Sequence, residues 1–428
     1  MNNTTRYSSE LLCESYDAYT HVSGLTIYVF PKKLTTTYAI MGVKYGALNN
    51  SFIYNGNEIT VPDGIAHFLE HKLFTNEDGS DSFEHFSEYG ADANAYTSFN
   101  KTAYLFSCTD DYRAPLGELI KFVTHPYFTP ESVASEIGII AEEIKMYEDS
   151  PSDRCFYGML EGMYEHHSIR RNICGSKESI SLITPDILYS CYGAFYNPSN
   201  MVLVVCGDVD PDEVLKIADK NLPTTQKPFD TKTTDENAKE APLAFMPYIE
   251  AKMQVSKPIF NIGFKDTDIP KDPTERQKKD AVMAILDEMI FSRAGELYNY
   301  LYDNDMVSPH MSYGYSICES SAYNCVAGES DDPKNVLDHI MDHIDKLKSM
   351  GLSYDNFLRG KRVMYSEFVK SFDSTENIAN NLLAFFCEGA ELLSYAEIID
   401  SVTFEDVCLA LNTSFDKNKI TLSVVNPL

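Results

Sequence analysis

His67-Phe68-Leu69-Glu70-His71-Lys72-Leu73-Phe74 is the stretch from which the rest of the chain is read. On a helix, residues four apart share a face, one turn above the other, so His67 and His71 can offer two imidazoles to one cation. Glu70 follows the first histidine by three residues and precedes the second by one. It can project beside the cation toward a water, in the order H-x-x-E-H, the reverse of H-E-x-x-H. Ile65, Ala66, Phe68, Leu69, Leu73 and Phe74 make this helix apolar and largely buried. Two histidines and a glutamate without a task are costly in such a setting.

The stretch has an echo further on. Ala284-Ile285-Leu286-Asp287-Glu288-Met289-Ile290-Phe291 matches it at the apolar positions and lacks both histidines. The surroundings repeat as well. Strand-like runs cover 25–30, 38–45, 102–107 and 201–205, with a helix over 64–74 and helices dominating 113–196. The second half is expected to open on a strand at 259–264, to carry helices at about 276–304, 333–349 and 354–371, and to end on a strand at 420–425. A polar run from Pro223 to Pro242 separates the two halves. We therefore expect an α+β chain built from a duplicated unit: an N-terminal zinc-binding domain over 1–222, a linker over 223–242, and a C-terminal domain of similar fold over 243–428 without the zinc motif.

Composition narrows the function. The chain has 428 residues, enough for two or three domains, and its 44% hydrophobic and 23% charged content is that of a folded protein. Thirty-five Lys+Arg against 64 Asp+Glu give a net charge of −29, which argues against nucleic acid or an anionic membrane as partner. The longest apolar run, Met201 to Cys206, falls far short of a membrane span. The polar start, Met1-Asn2-Asn3-Thr4-Thr5-Arg6, has no signal-like apolar stretch. Ten cysteines without a C-x-x-C pair read as reduced, mostly buried thiols of a cytoplasmic protein.

Two imidazoles leave a catalytic zinc one protein ligand short. A second amphipathic helix, around Glu136 to Glu148, offers carboxylates. Glu136 and Glu143 lie seven apart, two turns along one face, and Glu142 and Glu148 compete by proximity. Two other histidine groups have weaker claims. His339-Ile340-Met341-Asp342-His343 repeats the spacing on a charged, solvated helix face, and His166-His167 has no ligand spacing and is expected at the surface or in a channel wall.

The chain resembles the pitrilysin/insulinase family of zinc peptidases, the inverted-motif group that includes mitochondrial processing peptidase. The resemblance rests on His67 to Phe74, on Tyr89-Gly90-Ala91-Asp92-Ala93-Asn94-Ala95-Tyr96-Thr97-Ser98-Phe99 with Thr102 and Tyr104, on Glu136 to Met146, and on Phe195-Tyr196-Asn197-Pro198-Ser199-Asn200-Met201 leading to Gly207-Asp208. It covers the first half and is weaker in the second. It implies two similar domains, each a mainly antiparallel sheet packed by helices. It implies one Zn2+ per chain, with Glu143 as third ligand beside His67 and His71. It makes Glu70 the catalytic residue that activates the water and Glu136 the auxiliary acid, and it implies an endopeptidase of peptides or unfolded segments. Asn94, Ala95 and Tyr96 would bind substrate as an open sheet edge that a peptide joins as an extra strand.

The resemblance further implies a clamshell of four domains, of which this chain supplies two, so a second chain is expected, as homodimer or heterodimer. The family's substrate-holding arginine and tyrosine fall here on Tyr302 and Pro309, which favours a related partner chain carrying that pair. The rival reading is a catalytically silent or scaffolding subunit. The intact His67, Glu70, His71 and Glu143 set speaks against it.

Overall fold

Thr37–Val43 (β4) is buried at every position and reads as a continuous apolar run, the pattern of a strand covered on both faces. In the computed structural model, which describes residues 3–234 and 240–428, it lies inside a seven-stranded sheet. The other strands of that sheet are β1 (Asn3–Ser9), β2 (Glu14–Thr20), β3 (Thr26–Pro31), β7 (Asp92–Thr97), β8 (Thr102–Cys108) and β9 (Met201–Gly207). Their order is β1-β2-β3-β9-β4-β8-β7, antiparallel throughout except where β3 runs parallel to β9. β5 (Ser51–Tyr54), β6 (Asn57–Thr60) and β10 (Lys232–Thr233) form a small separate sheet.

The second sheet is built from β11 (Tyr248–Met253), β12 (Ile259–Asp266), β13 (Ser312–Ile317), β14 (Ala322–Glu329) and β15 (Ile420–Pro427), in the order β11-β15-β12-β14-β13. Only β11 and β15 are parallel. This repeats, strand for strand and direction for direction, the run β3-β9-β4-β8-β7 of the first sheet. The fold is thus α+β with two similar, mainly antiparallel units.

The units are not sequential halves. One comprises 1–144, 172–234 and 369–394; the other comprises 145–171, 235–368 and 395–428. Helix Thr375–Glu388 packs on β4 and β9 of the first unit, and helix Pro151–Met163 packs on β11, β12 and β15 of the second. Glycines permit both close approaches. A Cβ on Gly42 of β4 would come within 2.1 Å of Leu383, and one on Gly263 of β12 within 2.6 Å of Met159. Within the expected linker over 223–242, Lys232–Thr233 pairs with β5, and residues 235–239 lie outside the described residues.

Other differences from the sequence reading are local. The first unit opens on the antiparallel ribbon β1–β2, whose polar, half-exposed residues hide its strand pattern. β11 precedes the expected opening strand of the second unit for the same reason. The helix expected over 276–304 is two, Pro273–Phe291 and Glu296–Asp303, interrupted where Ser292 and Gly295 turn extended. None of the ten cysteines is in a disulfide. Among the described residues no helix is long and apolar enough to cross a membrane.

The helices that position the candidate site are α1 (Ile65–Leu73), α2 (Ser82–Glu88), α3 (Arg113–Thr124) and α4 (Pro130–Glu148). Eight of the nine α1 residues are buried, His71 being the exception. α1 packs on β7 and β8. Beyond its end Phe74 stacks on Phe83 of α2 and Phe122 of α3, with ring centroids 4.1 and 4.9 Å apart. Burying Phe74 and Phe122 anchors the helix, at roughly 1.5–3 kcal/mol per side chain.

Candidate metal centre

α1 begins at Gly64, whose backbone is left-handed with φ +90°, and there is no side-chain cap. A second loop is pressed against this start. A Cβ on Gly64 would lie 2.4 Å from the Cys174 carbonyl oxygen, and one on Gly175, at φ +76°, would lie 2.4 Å from that of Asp63. Only glycine meets both the torsion and the space. Ser179 Oγ donates to the Asp63 carbonyl at 2.8 Å and fastens the two loops together. The first turn of α1 therefore sits against Cys174.

His67 and His71 project from one face of α1, with ring centroids 4.6 Å apart. α4 brings Glu143 across both rings. One carboxylate oxygen lies 3.5 Å from His67 Nε2 and the other 3.4 Å from His71 Nε2. Glu136, two turns earlier on α4, lies 3.2 Å from the opposite nitrogen of His71, Nδ1. Its second oxygen accepts from Nζ of the buried Lys72 at 3.2 Å. Glu136 thus orients His71, and both its oxygens are engaged. Glu142 and Glu148, the competing carboxylates, are exposed on α4.

Glu70 is 7% exposed, and its Oε2 accepts a hydrogen bond from Thr97 Oγ1 at 2.8 Å. Burial raises its pKa, although His67, the Thr97 hydroxyl and His71 pull it back. For His71, burial disfavours the charge, but the hydrogen bonds to Glu136 and Glu143 outweigh it and carry the pKa up to about 10. Those same bonds from His67 and His71 hold Glu143 well below the usual carboxylate range. Glu136 is also lowered. Burial works against its charge, and His71 and Lys72 overcome that.

Among the described residues, His67, Glu143 and Cys174 place ligand atoms within 4.8 Å of one another; His71 lies outside that set and meets it through Glu143. Tetrahedral bonds of about 2.0–2.1 Å to nitrogen or oxygen and about 2.3 Å to sulfur place neighbouring N and O donors roughly 3.4 Å apart and N and S donors roughly 3.6 Å apart. The imidazole–carboxylate distances of 3.5 and 3.4 Å match the first value. His67 Nδ1 is buried and, among the described residues, has no hydrogen-bond partner.

Asn94, Ala95 and Tyr96 lie on β7, the edge strand of the seven-stranded sheet, which among the described residues pairs only with β8. Asn94 is exposed and its Oδ1 accepts from the Ala95 amide at 2.9 Å. Tyr96 donates to Asn380 at 2.9 Å. Thr97 on the same strand touches Glu70, so the strand edge and the motif meet. Sequence reasoning passed over Thr97 as a partner of Glu70, and over Cys174 altogether. Cys174 Sγ lies 3.8 Å from His67 Nε2.

The remaining histidine groups lie elsewhere. Among the described residues the one set of three metal-ligating groups within 4.8 Å is His67, Glu143 and Cys174, so the His339–His343 spacing gathers no such set. His166 is exposed, whereas His167 is fully buried, against the expectation of a surface or channel-wall position. Its Nδ1 accepts from the Ile169 amide and caps the short helix Ser168–Arg170. In the second unit, Tyr302 stacks on Tyr298, and the Pro309 carbonyl accepts from Arg293 at 2.8 Å. Tyr313 and Tyr315 donate to Glu288 and Asp266.

Residues 57–177, which hold the two histidines and both α4 carboxylates, match the family described as Insulinase (Peptidase family M16). Residues 182–364 match Peptidase M16 inactive domain and contain none of the donors described above. The chain is 36% identical over 411 residues to "Uncharacterized zinc protease YmfH" of Bacillus subtilis (strain 168), covering 95% of each chain. An "Uncharacterized zinc protease" of Rickettsia felis is 24% identical over 382 residues, covering 85% of this chain and 87% of that one. In structure, the chain superposes with TM-score 0.92 and 29% identity on an M16-like peptidase from Alicyclobacillus acidocaldarius, covering 96% and 98%. A protease from Helicobacter pylori shares the fold at TM-score 0.83 and 17% identity, covering 97% and 100%. The chain belongs to the M16, or insulinase, family of peptidases.

Proposed function

We propose that this chain is a zinc endopeptidase of peptides or unfolded segments, with one zinc held by His67, His71 and Glu143. The observation that carries the reading is Glu143, which turns one oxygen to each motif imidazole at 3.5 and 3.4 Å. When bound, the zinc supplies a Lewis acid for a peptide carbonyl and lowers the pKa of a water.

The chain's own residues supply the rest. Glu136 fixes the ring of His71 from behind, as outer carboxylates do for metal-ligating histidines. Thr97 holds one oxygen of Glu70, which keeps that carboxylate beside the donor set without being one of it. Burial raises the Glu70 pKa toward the operating range of a group that takes a proton from water and passes it to a leaving amine. The outer edge of β7 offers main-chain groups to an extended peptide, a recognition mode that reads backbone rather than side chains.

The reading includes a second, related chain. Tyr302 and Pro309 stand where the family resemblance places a substrate-holding arginine and tyrosine, and a partner that carries that pair would restore it. Poor substrate positioning alone can cost several kcal/mol of barrier. A cytoplasmic location belongs to the same reading, supported by the ten cysteines, which form no disulfide.

The test is zinc content together with cleavage of a quenched peptide, for the chain alone and with a related chain added. About one zinc per chain, and cleavage abolished by a chelator, is the expected result. Full activity of the chain alone, unchanged by any related chain, would overturn the heterodimer and leave the peptidase standing.

A further inference from the structure

We propose that Cys174 is a fourth protein donor to the zinc site, so that its thiolate competes with water for the position catalysis needs and holds the site in a closed, latent form. The inference rests on the zinc reading above and adds a ligand to it.

The geometry carries it. Cys174 Sγ lies 3.8 Å from His67 Nε2, close to the roughly 3.6 Å that nitrogen and sulfur donors keep on one tetrahedral zinc. Sγ, His67 and Glu143 place ligand atoms within 4.8 Å of one another. His67 is 7% exposed, and its Nε2 is the atom turned to both Cys174 and Glu143.

Cys174 is also held in place. It is 5% exposed, and its amide donates to Asn172 Oδ1 at 2.8 Å. The glycine contacts at Gly64 and Gly175 and the Ser179–Asp63 bond lock its loop to the start of α1. Coordination replaces the S–H bond with an S–Zn bond and releases one proton to solvent. A zinc held by His67, Glu143 and Cys174, with His71 turned to the same Glu143 carboxylate at 3.4 Å, would have the protein donors of a structural site. An open position for water returns only when one donor leaves.

The experiment reconstitutes the full-length protein with Co2+ and records its absorption, then repeats this for Cys174→Ala and Cys174→Ser. The wild type is expected to show a near-ultraviolet sulfur-to-cobalt charge-transfer band that both variants lack, while all three keep the visible bands of bound cobalt. Zinc affinity by chelator competition should fall about tenfold or more in both variants. Peptide cleavage per bound zinc should rise. Bound cobalt without the sulfur band, with unchanged zinc affinity in the variants, would overturn the Cys174 assignment and leave the zinc reading intact. No cobalt bound by the wild type would overturn both. Circular dichroism of the variants separates loss of a ligand from loss of fold.

Discussion

Glu136 Oε1 lies 3.2 Å from Nδ1 of His71, on the side of the ring turned away from Glu143. The imidazole is therefore gripped at both nitrogens, which fixes its direction before any metal arrives. Glu136→Gln should keep the fold but weaken zinc binding by about 10–100-fold, measured by competition with a chelator. Unchanged affinity would mean that Glu136 serves only Lys72.

The ligand choice on α4 is tested by three parallel changes. Glu143→Gln should strip zinc from purified protein, while Glu142→Gln and Glu148→Gln retain it. Of these three, Glu143 alone reaches the imidazoles, whereas Glu142 and Glu148 are exposed. Equal zinc content in all three would remove Glu143 from the donor set.

Acid stability of the second unit should depend on Glu240. Its carboxylate accepts the amides of Glu165, His166 and His167 and pairs with Lys265, whose side chain is 1% exposed. Burial opposes this charge, but those bonds lower the pKa to about 2. A lowered carboxylate pKa contributes stability above its unfolded value, and that contribution disappears as pH falls from about 5 toward about 2. Glu240→Gln should cost about 3 kcal/mol at pH 7 and flatten the acid limb of urea midpoints against pH. An unchanged acid limb would exclude Glu240 as its source.

Asp287 predicts the opposite trend. It stands where the first unit has Glu70, fully buried, with Asn324 donating to it. Burial pushes its pKa up to about 8, against the pull of that hydrogen bond. A raised carboxylate pKa means stability that falls as pH rises from about 4 to about 8. Asp287→Asn should therefore match the parent near pH 4 and exceed its melting temperature at pH 8. A variant less stable at both would show that the carboxyl is needed as such.

How much of this was legible in the chain follows from where periodicity operates. His67, Glu70 and His71 sit within five residues, so helical geometry alone sets their common face. Glu136 and Glu143 follow the same rule on α4. The duplicated sheet was legible where strands are buried, as at β4, β9, β12 and β15. It was not legible at β1, β2 and β11, where half-exposed residues blur the alternation. Tertiary placement left less trace. Nothing in the spacing of Cys174 relates it to His67, because two loops meeting through Gly64 and Gly175 bring them together. The exchange of helices Pro151–Met163 and Thr375–Glu388 between units is set by the close approaches at Gly263 and Gly42, which no local pattern announces.

The central claim, that Glu70 moves the proton at a zinc centre it does not help to hold, is tested most directly by Glu70→Gln. Zinc per chain and the rate of quenched-peptide cleavage are measured on the same preparation. The account predicts about one zinc per chain, as in the parent, with cleavage reduced by at least about 100-fold. Cleavage near the parental rate, or loss of the zinc with the carboxylate, would contradict it.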